Sequence, residues 1–182
     1  MLAGRYSLRP MSIQGNFRWV ESGQLDALLA APEQMNDFLQ EEEQDEDGDE
    51  SSRAPALLPL EKSWHALHFL LTGTAWGGSA PLHFIAVGGR RVGQEDFGYG
   101  PARAFAPREV KAICQALEDV SPADLRRRFD AAKMDELEIY PKNWSENADE
   151  DSLDAVLGDF EALRDFLREG AEQDLGLLVY LD

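Results

Sequence analysis

Residues 149–181 read DEDSLDAVLGDFEALRDFLREGAEQDLGLLVYL, and this stretch sets the fold class. Leu153, Val156, Leu157, Phe160, Leu163, Leu167 and Ala171 recur every three or four positions, the period that puts side chains on one face of an α-helix. Asp149 to Glu172 is therefore predicted to be one long amphipathic helix. From Leu175 to Leu181 the helical period gives way to a short run of Leu, Val and Tyr, which suits a terminal strand. A long helix followed at once by a strand calls for a sheet with helices packed on it.

Upstream segments supply the other layers. Ile13 to Val20 alternates as a strand, with Ile13, Gly15, Phe17 and Trp19 on one face. Ser22 is placed to cap a helix through Leu25, Leu28 and Leu29, which Pro32 interrupts before a short helix with Met35, Phe38 and Leu39. Pro59 reads as the start of a helix carrying Leu60, Trp64, Leu67, His68 and Leu71, closed by Gly73. Leu82 to Val87 reads as a buried strand ended by Gly88 and Gly89. Pro107 opens a helix with Val110, Ile113, Cys114 and Leu117. Ser121-Pro122-Ala123-Asp124 combines a hydroxyl cap, a proline in the first turn and an acid three residues after the cap. Asp130 is placed to cap one more turn holding Met134 and Leu137. Three strands among about six helices predict an α+β fold. The expectation is a single compact domain over residues 11–182, built on one mixed sheet of few strands covered by helices, with residues 1–10 as an extension.

Composition sets limits on function. The 182 residues are 43% hydrophobic, enough to bury a core without disulfides. The lone Cys114 reads as a small buried hydrophobe rather than a nucleophile. No apolar leader opens the chain and no run approaches the length of a membrane span, so the expected compartment is cytoplasmic. The net charge of −18 repels phosphate backbones and anionic lipid, which argues against nucleic-acid and membrane partners. Eight carboxylates crowd between Glu41 and Glu50, and residues 41–53 are expected to form a mobile surface loop. An EF-hand reading of Asp45, Asp47 and Asp49 fails, because Glu50 stands where the loop's glycine belongs.

Chemistry-bearing side chains gather in three places. Trp64-His65-Ala66-Leu67-His68 sets two histidines three apart on a helix, and His83 is the remaining one. Three histidines formally allow a metal, but the His-Glu-x-x-His pattern is absent and no cofactor is called for. Phe97-Gly98-Tyr99-Gly100-Pro101-Ala102-Arg103 offers closely spaced glycine amides and a guanidinium, the ingredients of an anion-binding turn. It lacks the Lys-Ser pair of a nucleotide loop and the third glycine of a dinucleotide fingerprint. Tyr140-Pro141-Lys142-Asn143-Trp144 adds two amphipathic rings beside a proline-restrained turn. With Trp76, these residues make a candidate pocket of Trp64, His65, His68, Trp76, Tyr99, Arg103, Tyr140 and Trp144. No Ser-His-Asp set or nucleophile elbow is present.

The same segments resemble the YfbM-like family of bacterial proteins, a domain-of-unknown-function family. The resemblance rests on Lys62-Ser63-Trp64-His65-Ala66-Leu67-His68-Phe69-Leu70-Leu71-Thr72-Gly73, on Asp96 to Arg103, and on Glu138-Ile139-Tyr140-Pro141 with Trp144; Met11-Ser12-Ile13 is similar to the family's usual beginning. It spans Met11 to Asp182 and implies a compact α/β domain, with no activity or catalytic residue attached. Two functions then compete. One is a non-catalytic acidic module, of immunity or inhibitor type, that occupies a basic protein partner. The other is a small-molecule protein or enzyme using the pocket just described.

Overall fold

In the computed structural model, residues 12–45 and 56–182 are described. Strand β1 (Gly15–Val20) is flanked by β2 (Leu57–Leu60) and β5 (Gly176–Leu181), and β5 pairs in turn with β4 (Arg103–Phe105), which pairs with β3 (Arg90–Arg91). The sheet order is β2-β1-β5-β4-β3 and every pairing is antiparallel. The α+β class read from the sequence holds, but the sheet is antiparallel throughout rather than mixed. Its centre is the long β1–β5 ladder, in register from Gly15 opposite Leu181 to Val20 opposite Gly176.

Strand alternation gives the sheet two apolar faces. Phe17, Trp19, Leu177, Val179 and Leu181 point into the larger core, where they meet helices α3 (Trp64–Thr72), α4 (Pro107–Glu118) and α8 (Glu150–Glu172). Val20, Ala104, Leu178 and Tyr180 face the other way. They pack against Leu25 and Leu28 of α1 (Ser22–Ala30) and Met35 at the head of α2 (Met35–Asp45). Three short helices complete the first side: α5 (Pro122–Arg128), α6 (Ala131–Glu136) and α7 (Trp144–Asn147).

Local signals explain most element ends. The Asp149 side chain accepts from the Ser152 N–H at 2.8 Å and so caps α8, one residue inside the predicted start. Ser121 and Asp124 form the reciprocal capping box of α5. Gly73 ends α3 with φ 73°, a left-handed conformation that favours glycine. At Gly15 a Cβ would lie 2.7 Å from Trp64 Cβ, so β1 and α3 touch backbone to side chain without room for more.

Three predicted elements are corrected. Leu82–Val87 is not a strand: Leu82–Ile85 is a 3-10 turn with Phe84 and Ile85 buried. The carbonyls that a ladder would need are bonded to a guanidinium, as shown below. Pro59 and Leu60 do not open α3 but lie in β2, with Pro59 opposite Asn16. That is an edge strand, where a residue lacking an N–H is tolerated, and the helix starts at Trp64. Glu41–Asp45 continue α2 instead of forming a loop. The rest of the predicted acidic loop, the remaining residues of the rejected calcium reading and the extension 1–10 lie outside the described residues.

Candidate functional site

Helix α3 is buried on every side from Trp64 to Leu71, so both of its histidines are internal. His65 is 2% exposed. Its Nδ1 lies 2.9 Å from the Tyr140 N–H, which can only donate. Nδ1 is therefore the acceptor, and Nε2 carries the proton that goes to the Ala75 carbonyl at 2.9 Å. Burial lowers the pKa of this ring, opposed in part by the Ala75 bond. Both nitrogens of a neutral imidazole are thus committed to backbone.

Around that ring the aromatic residues stack into a pile that runs from core to surface. Trp64 lies parallel to His65 at 4.7 Å, Trp76 covers the His65 ring at 4.6 Å, and Trp64 stacks on Tyr140 at 6.2 Å. Tyr99 stacks on Trp76 at 6.1 Å and 7°. The Trp64 indole N–H donates to the Ile13 carbonyl, and the Ile13 N–H donates to the Tyr140 hydroxyl, each at 3.2 Å. At the outer end Trp76 is 47% and Tyr99 53% exposed, the two large exposed hydrophobic residues among those described.

His68 is fully buried, and neither ring nitrogen has a hydrogen-bond partner of good geometry. Burial, followed by the nearby His65 and Arg103, lowers its pKa to about 4, and the Gly77 backbone offsets only part of this. His83 Nδ1 sits 3.2 Å from the Gly78 carbonyl. Among the described residues no three or more His, Cys, Asp or Glu side chains are grouped to hold a metal ion.

The guanidinium and the glycine amides are also occupied. Arg103 Nη1 donates to the carbonyls of Phe84 at 2.8 Å and Val87 at 2.6 Å, and Nη2 donates to Ile85 at 2.6 Å. It closes the 3-10 turn over Leu82–Ile85 in place of a sheet ladder. Burial lowers its pKa to about 10, so it stays charged at neutral pH. In the glycine loop, one Asp96 carboxylate oxygen accepts from the N–H groups of Gly98 at 2.7 Å and Gly100 at 2.8 Å. Those two bonds hold the Asp96 pKa below the usual carboxylate range. The loop's anion is supplied by its own chain.

Five of the eight residues named from sequence, Trp64, His65, Trp76, Tyr99 and Tyr140, meet in ring contact, while His68 and Arg103 are near enough to act on one another electrostatically. Trp144 stands apart. It is buried, donates from its indole to the Ile139 carbonyl at 2.8 Å and packs edge-on against Phe129. It lines a separate cleft of about 360 Å3 with Ser63 and Asp159. Sequence reading passed over Asp159, which is one acid among many along α8 and carries no local signal.

A family model for a domain of unknown function, DUF1877, matches residues 11–180. The chain belongs to the DUF1877 family. Protein YfbM of Escherichia coli strain K12 is 31% identical over 121 residues, which cover 62% of this chain and 71% of that protein. A crystal structure described as a protein of unknown function, YfbM from Escherichia coli, superposes with a TM-score of 0.70 at 25% identity, covering 93% of this chain and 99% of that one. The resemblance seen in the Trp64–Gly73, Asp96–Arg103 and Glu138–Pro141 segments is thus a family relationship over nearly the whole domain. In this DUF1877 chain those segments meet in the aromatic pile. Among the described residues no helix is long and apolar enough to cross a membrane.

Proposed function

We propose that the protein is a non-catalytic binding module, of immunity or inhibitor type, that offers the Trp76–Tyr99 surface to a basic protein partner. The observation that carries this reading is the parallel, half-exposed pair Trp76 and Tyr99 at the outer end of the aromatic pile. Tryptophan and tyrosine dominate the energetic centres of protein interfaces. Here the rings beneath hold the pair in place before any partner arrives, which lowers the ordering cost of association. The net charge of −18 favours fast, salt-sensitive encounter with a cationic surface.

A catalytic or small-molecule pocket around Trp64, His65, His68 and the Gly98–Arg103 loop is the weaker reading. A general base needs a free nitrogen within reach of substrate, and both His65 nitrogens bond the backbone. An anion site needs free donors, and Arg103 and the loop amides are bonded within the chain. The test is affinity capture from a host-cell lysate with the wild type and the Trp76→Ala/Tyr99→Ala double variant as baits, at low and high salt. The reading expects a partner held by the wild type at low salt, released at high salt and missed by the variant. Identical captures by both baits would count against it.

A further inference from the structure

Trp144 belongs to the second concavity, and that cleft has a composition of its own. It lies between the residues leading into α3, the turn 141–143 with α7, and the first half of α8. Trp144, Pro141 and Val156 supply apolar lining, and about 360 Å3 is within the size range of small-molecule sites. Ser63 occupies the cap position of α3 without capping it. Its hydroxyl instead donates to one oxygen of the half-buried Asp159 at 2.5 Å.

Charge is what distinguishes the lining. Lys142 is paired with Glu138 at 2.8 Å, yet Lys62 and Asp159, on either side of Ser63, form no ion pair with each other or with any other described residue. Among the described residues, Asp159 keeps one carboxylate oxygen without a partner and Lys62 its ammonium. Glu61 stands exposed at the rim. The wall turns on Lys142 and Asn143, both left-handed at φ 76° and 59°, and backbone held in such conformations concentrates around ligand sites.

We propose that this cleft binds a zwitterion of amino-acid size with an apolar side chain. The ligand's ammonium meets the free Asp159 oxygen, its carboxylate meets Lys62, and its side chain lies against Trp144, Pro141 and Val156. An unpaired anion and an unpaired cation beside an apolar lining complement a molecule that carries both charges and a hydrocarbon part. A sugar would leave both charges unmatched. This inference does not depend on the Trp76–Tyr99 surface, and its test uses no protein partner, so either reading can fail alone.

The experiment is isothermal titration and ligand-observed saturation-transfer NMR of the full chain with each of the free standard amino acids at millimolar concentration. The expected result is binding of one or more amino acids with aliphatic or aromatic side chains. Asp159→Asn and Lys62→Met should each weaken binding by about ten-fold or more. The matching decarboxylated amine and the amino-acid methyl ester should both bind more weakly by a similar factor. Lys62 is exposed and unpaired, so Lys62→Met decides the matter even where Asp159→Asn folds poorly. Absence of binding by every amino acid, or binding that survives Lys62→Met, would overturn the proposal. So would an amine that binds as well as its parent amino acid.

Discussion

Tyr140 donates its backbone N–H to His65 Nδ1 at 2.9 Å, across 75 positions of sequence. This bond fixes the ring as the Nε2-protonated tautomer and joins the turn before Pro141 to the buried helix α3. The side chain that looks most like a catalytic base is thereby a clamp between two loops. His65→Ala should leave the Tyr140 N–H and the Ala75 carbonyl unbonded and remove the ring between Trp64 and Trp76. The expected loss is about 3 kcal/mol, or a fall in Tm of about 6–12 °C for a domain of this size, measured by thermal unfolding.

His68 makes the opposite prediction. Its pKa lies at about 4 in the fold and near 6.5 in an unfolded chain. As pH falls, the unfolded chain takes up the proton first. Stability from this ring is therefore complete above pH 6.5 and is lost progressively down to pH 4, by about 3 kcal/mol. The lowered His65 pKa acts in the same direction. Replacing His68, whose buried nitrogens have no partner of good geometry, with leucine removes the titration and the poorly satisfied polar atoms together. His68→Leu should stay within about 1 kcal/mol of wild type at pH 7 and exceed it at pH 5. Urea unfolding at the two pH values measures both.

Arg103 acts through geometry as much as charge. Arg103→Met should orphan the carbonyls of Phe84, Ile85 and Val87 and cost about 3 kcal/mol or more. Arg103→Lys should rescue little, because one ammonium cannot reproduce the planar fork that reaches several carbonyls at once. Equal stability of the lysine variant and the wild type in denaturant titration would contradict this.

How much of this was legible follows from where each signal resides. Helix α8, strands β1 and β5 and the Ser121 box were readable because period and capping are local. The 82–85 turn was not: its apolar run fits a strand, and the residue that forbids one is Arg103, 19 positions from Phe84. Strands β3 and β4 are two and three residues long and owe their existence to the neighbouring β5 edge. The candidate residues were legible as types, and Trp64, His65, Trp76, Tyr99 and Tyr140 do meet. That their polar atoms would be engaged by backbone groups far along the chain was not legible, since those partners carry no side-chain signature.

The glycine loop yields a smaller test. Asp96→Ala should free the Gly98 and Gly100 amides and speed their hydrogen exchange, with little effect on global unfolding. In the wild type the same bonds should weaken only when pH falls through the lowered Asp96 pKa, so exchange corrected for intrinsic rate should stay flat down to that point.

The reading of Trp76 and Tyr99 as a contact surface is tested most directly by photo-crosslinking in living host cells. Trp76→p-benzoylphenylalanine places a light-activated ring at the outer end of the pile, and the same substitution at the exposed Glu161 on α8 serves as the control. The account predicts one or a few discrete heavier adducts from position 76 and none at those masses from position 161. No adduct at 76, or the same adducts from both positions, would contradict it.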